Sequence, residues 1–150
     1  MTRATVITDA SFCADTRSAG WAAWIKGDDG LSIQRSGTFN MPPASSLEAE
    51  TWAAANGVFL AVSAGARVIL LQTDCMTVVH GVQKKGRQAP KIWRKNLKMA
   101  LETLPYAVDL QLSARHVKGH TRDGAPRSWV NRWCDKHARR AMKEQRRSAA

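Results

Sequence analysis

A chain of 150 residues with 44% hydrophobic content has the size of one domain and enough apolar material for a core of its own. Its formal charge of +11 and pI near 10.3 favour a polyanionic partner, nucleic acid first, because basic surfaces bind phosphates and release their counterions. No apolar run approaches the roughly 20 residues that cross a bilayer, and "MTRATVITDASF" lacks the layout of a secretory signal. A protein that starts near Met1, stays in a cytoplasmic-type compartment and needs no membrane is therefore expected. Cys13, Cys75 and Cys134 are widely spaced and odd in number, which argues for reduced thiols packed as small hydrophobes.

In chain order, "ATVITDASF" is rich in β-branched residues and predicts a first strand, and "AGWAAWIKG" predicts a second before the turn "GDDG". "LSIQRSGTF" alternates as a third, with Leu31, Ile33 and Arg35 on one face. "NMPPASS" turns the chain and supplies an N-cap, after which the alanine-rich "LEAETWAAANGVFLAVSAG" predicts a helix ending at Gly65. "ARVILLQTD" is almost unbroken in apolar character, as in a central strand covered on both faces. Helices follow from about Cys75 to Lys84 and from about Ala89 to Leu104, where Pro105 stops the second. "YAVDLQLSARHV" predicts a last strand and "SWVNRWCDKHARRAMKEQRR" a C-terminal helix. The order implies an α/β fold: a mixed five-stranded sheet, three antiparallel strands first, flanked by helices. One domain over residues 1–145 is expected, with 146–150 as a short, basic, frayed tail.

The positive charge is concentrated. Residues 83–98 hold Lys84, Lys85, Arg87, Lys91, Arg94, Lys95 and Lys98 with no acid among them, and a second basic block runs from Lys136 to Arg147. Two such blocks on one small domain favour a phosphate-tracking surface over merely solvated helix faces. Trp93, inside the first block, is placed either to stack on a sugar or base or to pack against its helix. Trp21, Trp24 and Trp52 are expected in the core, and Trp129 and Trp133 are spaced to pin the last helix to the sheet.

Against 23 basic residues stand only 12 acids, so the placement of each acid carries information. Asp9 and Asp74 each end an apolar run after a threonine, in "VITDAS" and "ILLQTDC". If those strands are neighbours, the two carboxylates sit side by side at one sheet edge. Like charges a few ångströms apart stay ionised only with cations between them, and hard oxygen ligands favour Mg²⁺ or Mn²⁺ over zinc. Helical phase puts Glu50 on one face with Ala53, Ala54 and Gly57, a small-residue stripe suited to lying on a sheet, and turns Glu48 about 200° away. Asp135 lies on the last helix. A competing metal reading comes from His116, His120, Cys134 and His137, whose spacing imitates a zinc site. It is disfavoured, because His116 falls within the last strand, His120 beyond it and the other two on a helix, and because it leaves Asp135 idle.

The segments "ITDAS", "AGWAAWI", "EAETWAAANGV", "LLQTDCMTVVHGV", "HVKGH" and "NRWCDKHARRA", in this order and spacing, resemble the type 1 ribonuclease H family over about residues 3–142. The resemblance implies hydrolysis of the RNA strand of an RNA–DNA hybrid, leaving 5′-phosphate and 3′-hydroxyl ends. Two Mg²⁺ ions about 4 Å apart, with Mn²⁺ as a substitute, would be held by Asp9, Glu50, Asp74 and Asp135. It makes His120 a proton carrier or product-release residue and gives substrate contacts to the short polar residues Ser11, Ser45, Ser46 and Asn131, with Lys84, Lys85, Arg87 and Trp93 on the DNA strand. A monomer without an obligate protein partner is implied. Two alternatives remain at this point: a nuclease of the same fold acting on branched or single-stranded nucleic acid, and a non-catalytic basic nucleic-acid-binding module.

Overall fold

A computed structural model describes residues 2–83, 110–117 and 126–148. Strands β1 (Thr2–Cys13), β2 (Ser18–Gly27) and β3 (Ser32–Thr38) form the antiparallel opening, followed by helix α1 (Ser46–Ser63), strand β4 (Ala66–Thr73), helix α2 (Met76–Gln83), strand β5 (Gln111–His116) and helix α3 (Pro126–Ser148). The strands lie in the order β3-β2-β1-β4-β5, with β4 parallel to both β1 and β5. The mixed five-stranded sheet expected from the sequence is present. The helix expected from Ala89 to Leu104 lies outside the described residues.

Alternation along β1 divides the core between the two faces of the sheet. Val6 faces α1 with Ile25, Ala54, Val58, Ile69 and Leu71, and Val78, Val79 and Val82 bring α2 onto the same layer. Ile7 faces the other way, with Ala22, against Cys134 and Ala138 of α3. Each large aliphatic side chain buried here contributes about 1.5–3 kcal/mol.

Several local rules set the element boundaries. Ser45 caps α1 by accepting the Glu48 N–H at 3.1 Å, while the Glu48 carboxylate accepts from the Ala44 N–H at 3.3 Å, an exchange close to a capping box. Gly65 ends the helix with φ +102, in the left-handed region that a side chain disfavours. α3 begins two residues earlier than the sequence implied, since Pro126 serves as a first helical residue where a missing N–H costs nothing. It also runs on through Arg146 and Arg147 to Ser148, past the expected boundary at 145. Asp9 ends the apolar run but not the strand: pairing with β2 carries β1 to Cys13, whereas β4 stops at Thr73. Among the tryptophans, Trp21, Trp24 and Trp52 are half-buried rather than core residues. Trp24 takes the rings of Trp129 and Trp133 edge-on at 5.4 and 5.1 Å, so these two do pin α3 to the sheet.

Two glycines allow the helices to reach the sheet. A Cβ on Gly57 would meet Thr8 Cγ2 at 2.6 Å and Val6 Cγ1 at 2.7 Å, and one on Gly20 would run into the Ala138 carbonyl and the Met142 nitrogen of α3. The first obstruction is side chain and the second is backbone. Gly57→Ala should therefore cost about 1–3 kcal/mol through overpacking, and Gly20→Ala more, because α3 must move bodily. Thermal melts of the two variants test this ranking, and equal losses would contradict it.

Candidate metal centre

Three elements deliver one carboxylate each to the C-terminal edge of β4. The parallel register Ile7↔Gln72 brings Asp9 and Asp74 to the same level on adjacent strands. Glu50 descends from the first turns of α1, which lies close because Gly57 has no side chain. One oxygen from each of Asp9, Glu50 and Asp74 lies within 4.8 Å of the others. A pair of unit charges at that separation repels by about 3–4 kcal/mol at an effective dielectric near 20.

The electrostatics follow from this crowding. Burial, then the charges of Asp74 and Asp135, raise the Asp9 pKa, while the Ala10 N–H, donating to Oδ1 at 2.9 Å, works against the rise. Burial, then Asp9 and Asp74, raise Glu50 as well. Hydrogen bonding between the two carboxyls favours the ionised form of Asp9 and the protonated form of Glu50, so the retained proton belongs first to Glu50. Glu50 Oε2 is buried without a hydrogen-bond partner among the described residues, and so is Thr8 Oγ1. Such orphaned acceptors are rare and costly. A divalent cation would satisfy the carboxylate oxygen and offset the repulsion together, so the donor set fits a hard cation.

Asp135 approaches from α3. It lines a cleft of about 30 Å³ with Thr8, Asp9, Asp74, Val117, Asn131, Arg132 and Cys134. Its two oxygens are engaged by Arg139 Nη2 at 3.3 and 3.2 Å, one helical turn on. Asn131 is thus brought to the site. Ser11 lies in β1 opposite Gly20, Ser45 is occupied in part as the α1 cap, and Ser46 is exposed as the first residue of that helix. His120, Lys84, Lys85, Arg87 and Trp93 lie outside the described residues. The zinc alternative does not assemble among the described residues: Cys134 is buried with its thiol donating to the Ile7 carbonyl at 3.7 Å, and burial pushes its pKa strongly up. His137 stacks on Trp133 with centroids 4.1 Å apart. Sequence reasoning missed Thr8, Arg132 and Arg139. The last two share the face of Asp135 at i−3 and i+4, a helical spacing that could have found them.

A sheet ordered β3-β2-β1-β4-β5 with an acidic cluster where β1 and β4 run side by side defines a protein of the ribonuclease H fold. A profile of the reverse transcriptase-like family matches residues 7–119, and the chain belongs to that family. The solved N-terminal RNase H domain of a Mycobacterium tuberculosis protein, fused to maltose binding protein, superposes with a TM-score of 0.75 at 18% identity and full coverage of both chains. RNase H1 from the halophilic archaeon Halobacterium salinarum gives 0.67 at 20% identity, covering 95% of this chain and 98% of its own. LC11-RNase H1, isolated from compost and solved with an RNA/DNA hybrid, gives 0.68 at 15% identity, covering 94% and 97%. No curated protein matches the sequence at a significant level.

The raised pKa values fix the sign of a pH effect. A native carboxyl that holds its proton to higher pH than the unfolded chain does contributes stability below the unfolded pKa, and loses it as pH rises through the folded value. The chelated protein should therefore melt higher at pH 5 than at pH 8, and Glu50→Gln should raise the melting temperature at pH 8. Divalent cation at a hundred times its Kd should add about 2.7 kcal/mol, about 5–10 °C for a domain of this size. Scanning calorimetry in EDTA and in Mg²⁺ reads all three; a chelated protein that grows more stable towards pH 8 would contradict the burial of these groups.

Proposed function

We propose that the protein is an endonuclease that hydrolyses the RNA strand of RNA–DNA hybrids at the Asp9–Glu50–Asp74 centre, with Asp135 as a fourth ligand. The observation that carries this reading is the convergence of three carboxylates within 4.8 Å, one of them with a buried, unpartnered oxygen. The fold shared with RNase H domains, one of them solved with an RNA/DNA hybrid, supports the substrate class.

Bound divalent cations, Mg²⁺ with Mn²⁺ as a substitute, supply an activated water and charge stabilisation at the leaving oxygen. Asp9 and Asp74 hold the ligand positions from the rigid sheet, and Glu50 closes the set from α1. Giving up the Glu50 proton frees its carboxylate to bind. Asp135 completes the ring by turning from Arg139 towards the cleft. His120 carries the proton to or from the reacting oxygen. Ser11, Ser46 and Asn131 offer short polar groups to the 2′-hydroxyls that distinguish RNA, with Ser45 still able to donate its own proton. Lys84, Lys85, Arg87 and Trp93 hold the DNA strand. The three cysteines are free, which suits a reducing, cytoplasmic compartment, and a monomer contains the whole centre.

A labelled hybrid incubated with Mg²⁺ should be cut to 5′-phosphate and 3′-hydroxyl products, and EDTA should abolish cutting. Asp9→Asn should lower the rate by about a thousandfold, equivalent to about 4 kcal/mol of lost transition-state stabilisation, while leaving hybrid binding largely in place. Robust cutting by Asp9→Asn would sink the assignment, and preference for branched DNA over the hybrid would correct the substrate.

A further inference from the structure

The outer face of α3 carries a cation track that the catalytic centre does not use. Lys136, Arg140, Lys143 and Arg147 follow one another at helical spacing, all exposed, with Arg132 and Arg139 flanking the row at the cleft end and Arg146 at the far end. From Arg132, which lines the cleft, to Arg147 the track extends about 22 Å at a rise of 1.5 Å per residue. The opposite face of the helix is consumed by packing: Cys134, Ala138, Ala141 and Met142 are buried, and the Gln145 side chain accepts the Ala19 N–H at 2.7 Å. The track is therefore held facing outward from the body of the domain.

Its charge pattern is unlike that of a merely solvated helix. Two i,i+4 ion pairs lie along the helix, Asp135 with Arg139 and, within the row, Glu144 with Arg140 at 3.8 Å between exposed side chains, but seven Lys and Arg residues from Arg132 to Arg147 face only these two acids along it, which leaves a basic excess at i+3 and i+4 spacing. A polyanion would neutralise the excess that Asp135 and Glu144 leave. A membrane surface fits less well, since a helix that binds in a bilayer interface needs a free apolar face and this one has buried its own in the domain.

We propose that this face of α3 is a second nucleic-acid contact, binding the phosphate backbone of a duplex that extends beyond the catalytic cleft. It rests on the proposed function only for the identity of that duplex; phosphate contact itself is indifferent to sequence and to cleavage. The track would lengthen the footprint by roughly six nucleotides at about 3.4 Å per strand step.

The test combines Lys136→Gln, Lys143→Gln and Arg147→Gln in the full chain and measures binding in EDTA against salt concentration, using hybrid and all-DNA duplexes of roughly 30 and roughly 8 base pairs. On the long duplexes the slope of log K against log salt should fall in magnitude by up to about 2.7, one loss of about 0.9 for each phosphate contact. On the short hybrid, binding and Mg²⁺-dependent cutting should stay within about twofold of the parent. Lys136→Arg, Lys143→Arg and Arg147→Lys, which keep the charge, should retain the parent slope and so separate charge loss from misfolding. An unchanged slope on long duplexes, an equal loss on the short ones, or equally salt-dependent binding to phosphatidylserine vesicles would each overturn the proposal. If no hybrid were cut and the slope still fell, the functional reading would fail and the track would stand.

Discussion

Three carboxylates that repel one another are held together by backbone geometry, and the rest of the structure is arranged around that constraint. The parallel pairing of β1 with β4 puts Asp9 beside Asp74. Glu50 joins only because α1 lies close enough for a Cβ at position 57 to collide with Thr8 and Val6. The apolar core beneath, from Val6 through Ile69 and Leu71 to Val78, supplies the favourable free energy against which a locally unfavourable cluster is maintained. A cation bound there would discharge this repulsion, which would link affinity for metal to stability of the domain.

The second face of the sheet has a different task. α3 is pinned by Trp129 and Trp133 on Trp24 and by the close approach of Gly20 to Ala138 and Met142. Those contacts fix Asp135 against the cleft from the far side and leave the basic residues outward. One helix thus contributes a carboxylate to the cleft and a charged surface to the exterior. The Arg139–Asp135 pair sits where the two roles meet: an exposed i,i+4 pair is worth only a few tenths of a kcal/mol, weak enough for Asp135 to exchange its partner.

Much of this was legible in the sequence for identifiable reasons. Apolar runs before Asp9 and Asp74 marked two buried strands, and only neighbouring strands make sense of two acids at equivalent ends. Helical phase separated Glu50 from Glu48, which the structure places in the α1 cap. Pairings that depend on three-dimensional approach were not legible: Thr8 with its orphaned hydroxyl and Arg139 on Asp135. The tryptophans were overrated as core residues because rings of this size are rarely buried whole: Trp24 packs against α3, yet it, Trp21 and Trp52 all stay partly exposed. The zinc-like spacing was set aside from element placement, and the structure adds what spacing along the chain is blind to, a thiol turned inward onto the Ile7 carbonyl.

The account depends on cations occupying the space between Asp9, Glu50 and Asp74. Diffraction from crystals grown with Mn²⁺, collected at the manganese absorption edge, tests it directly. Anomalous density bounded by those three carboxylates, with Asp135 turned towards it, is the predicted result. An empty acidic cluster in ordered crystals at saturating Mn²⁺, or density beside Cys134 and His137 instead, would contradict it.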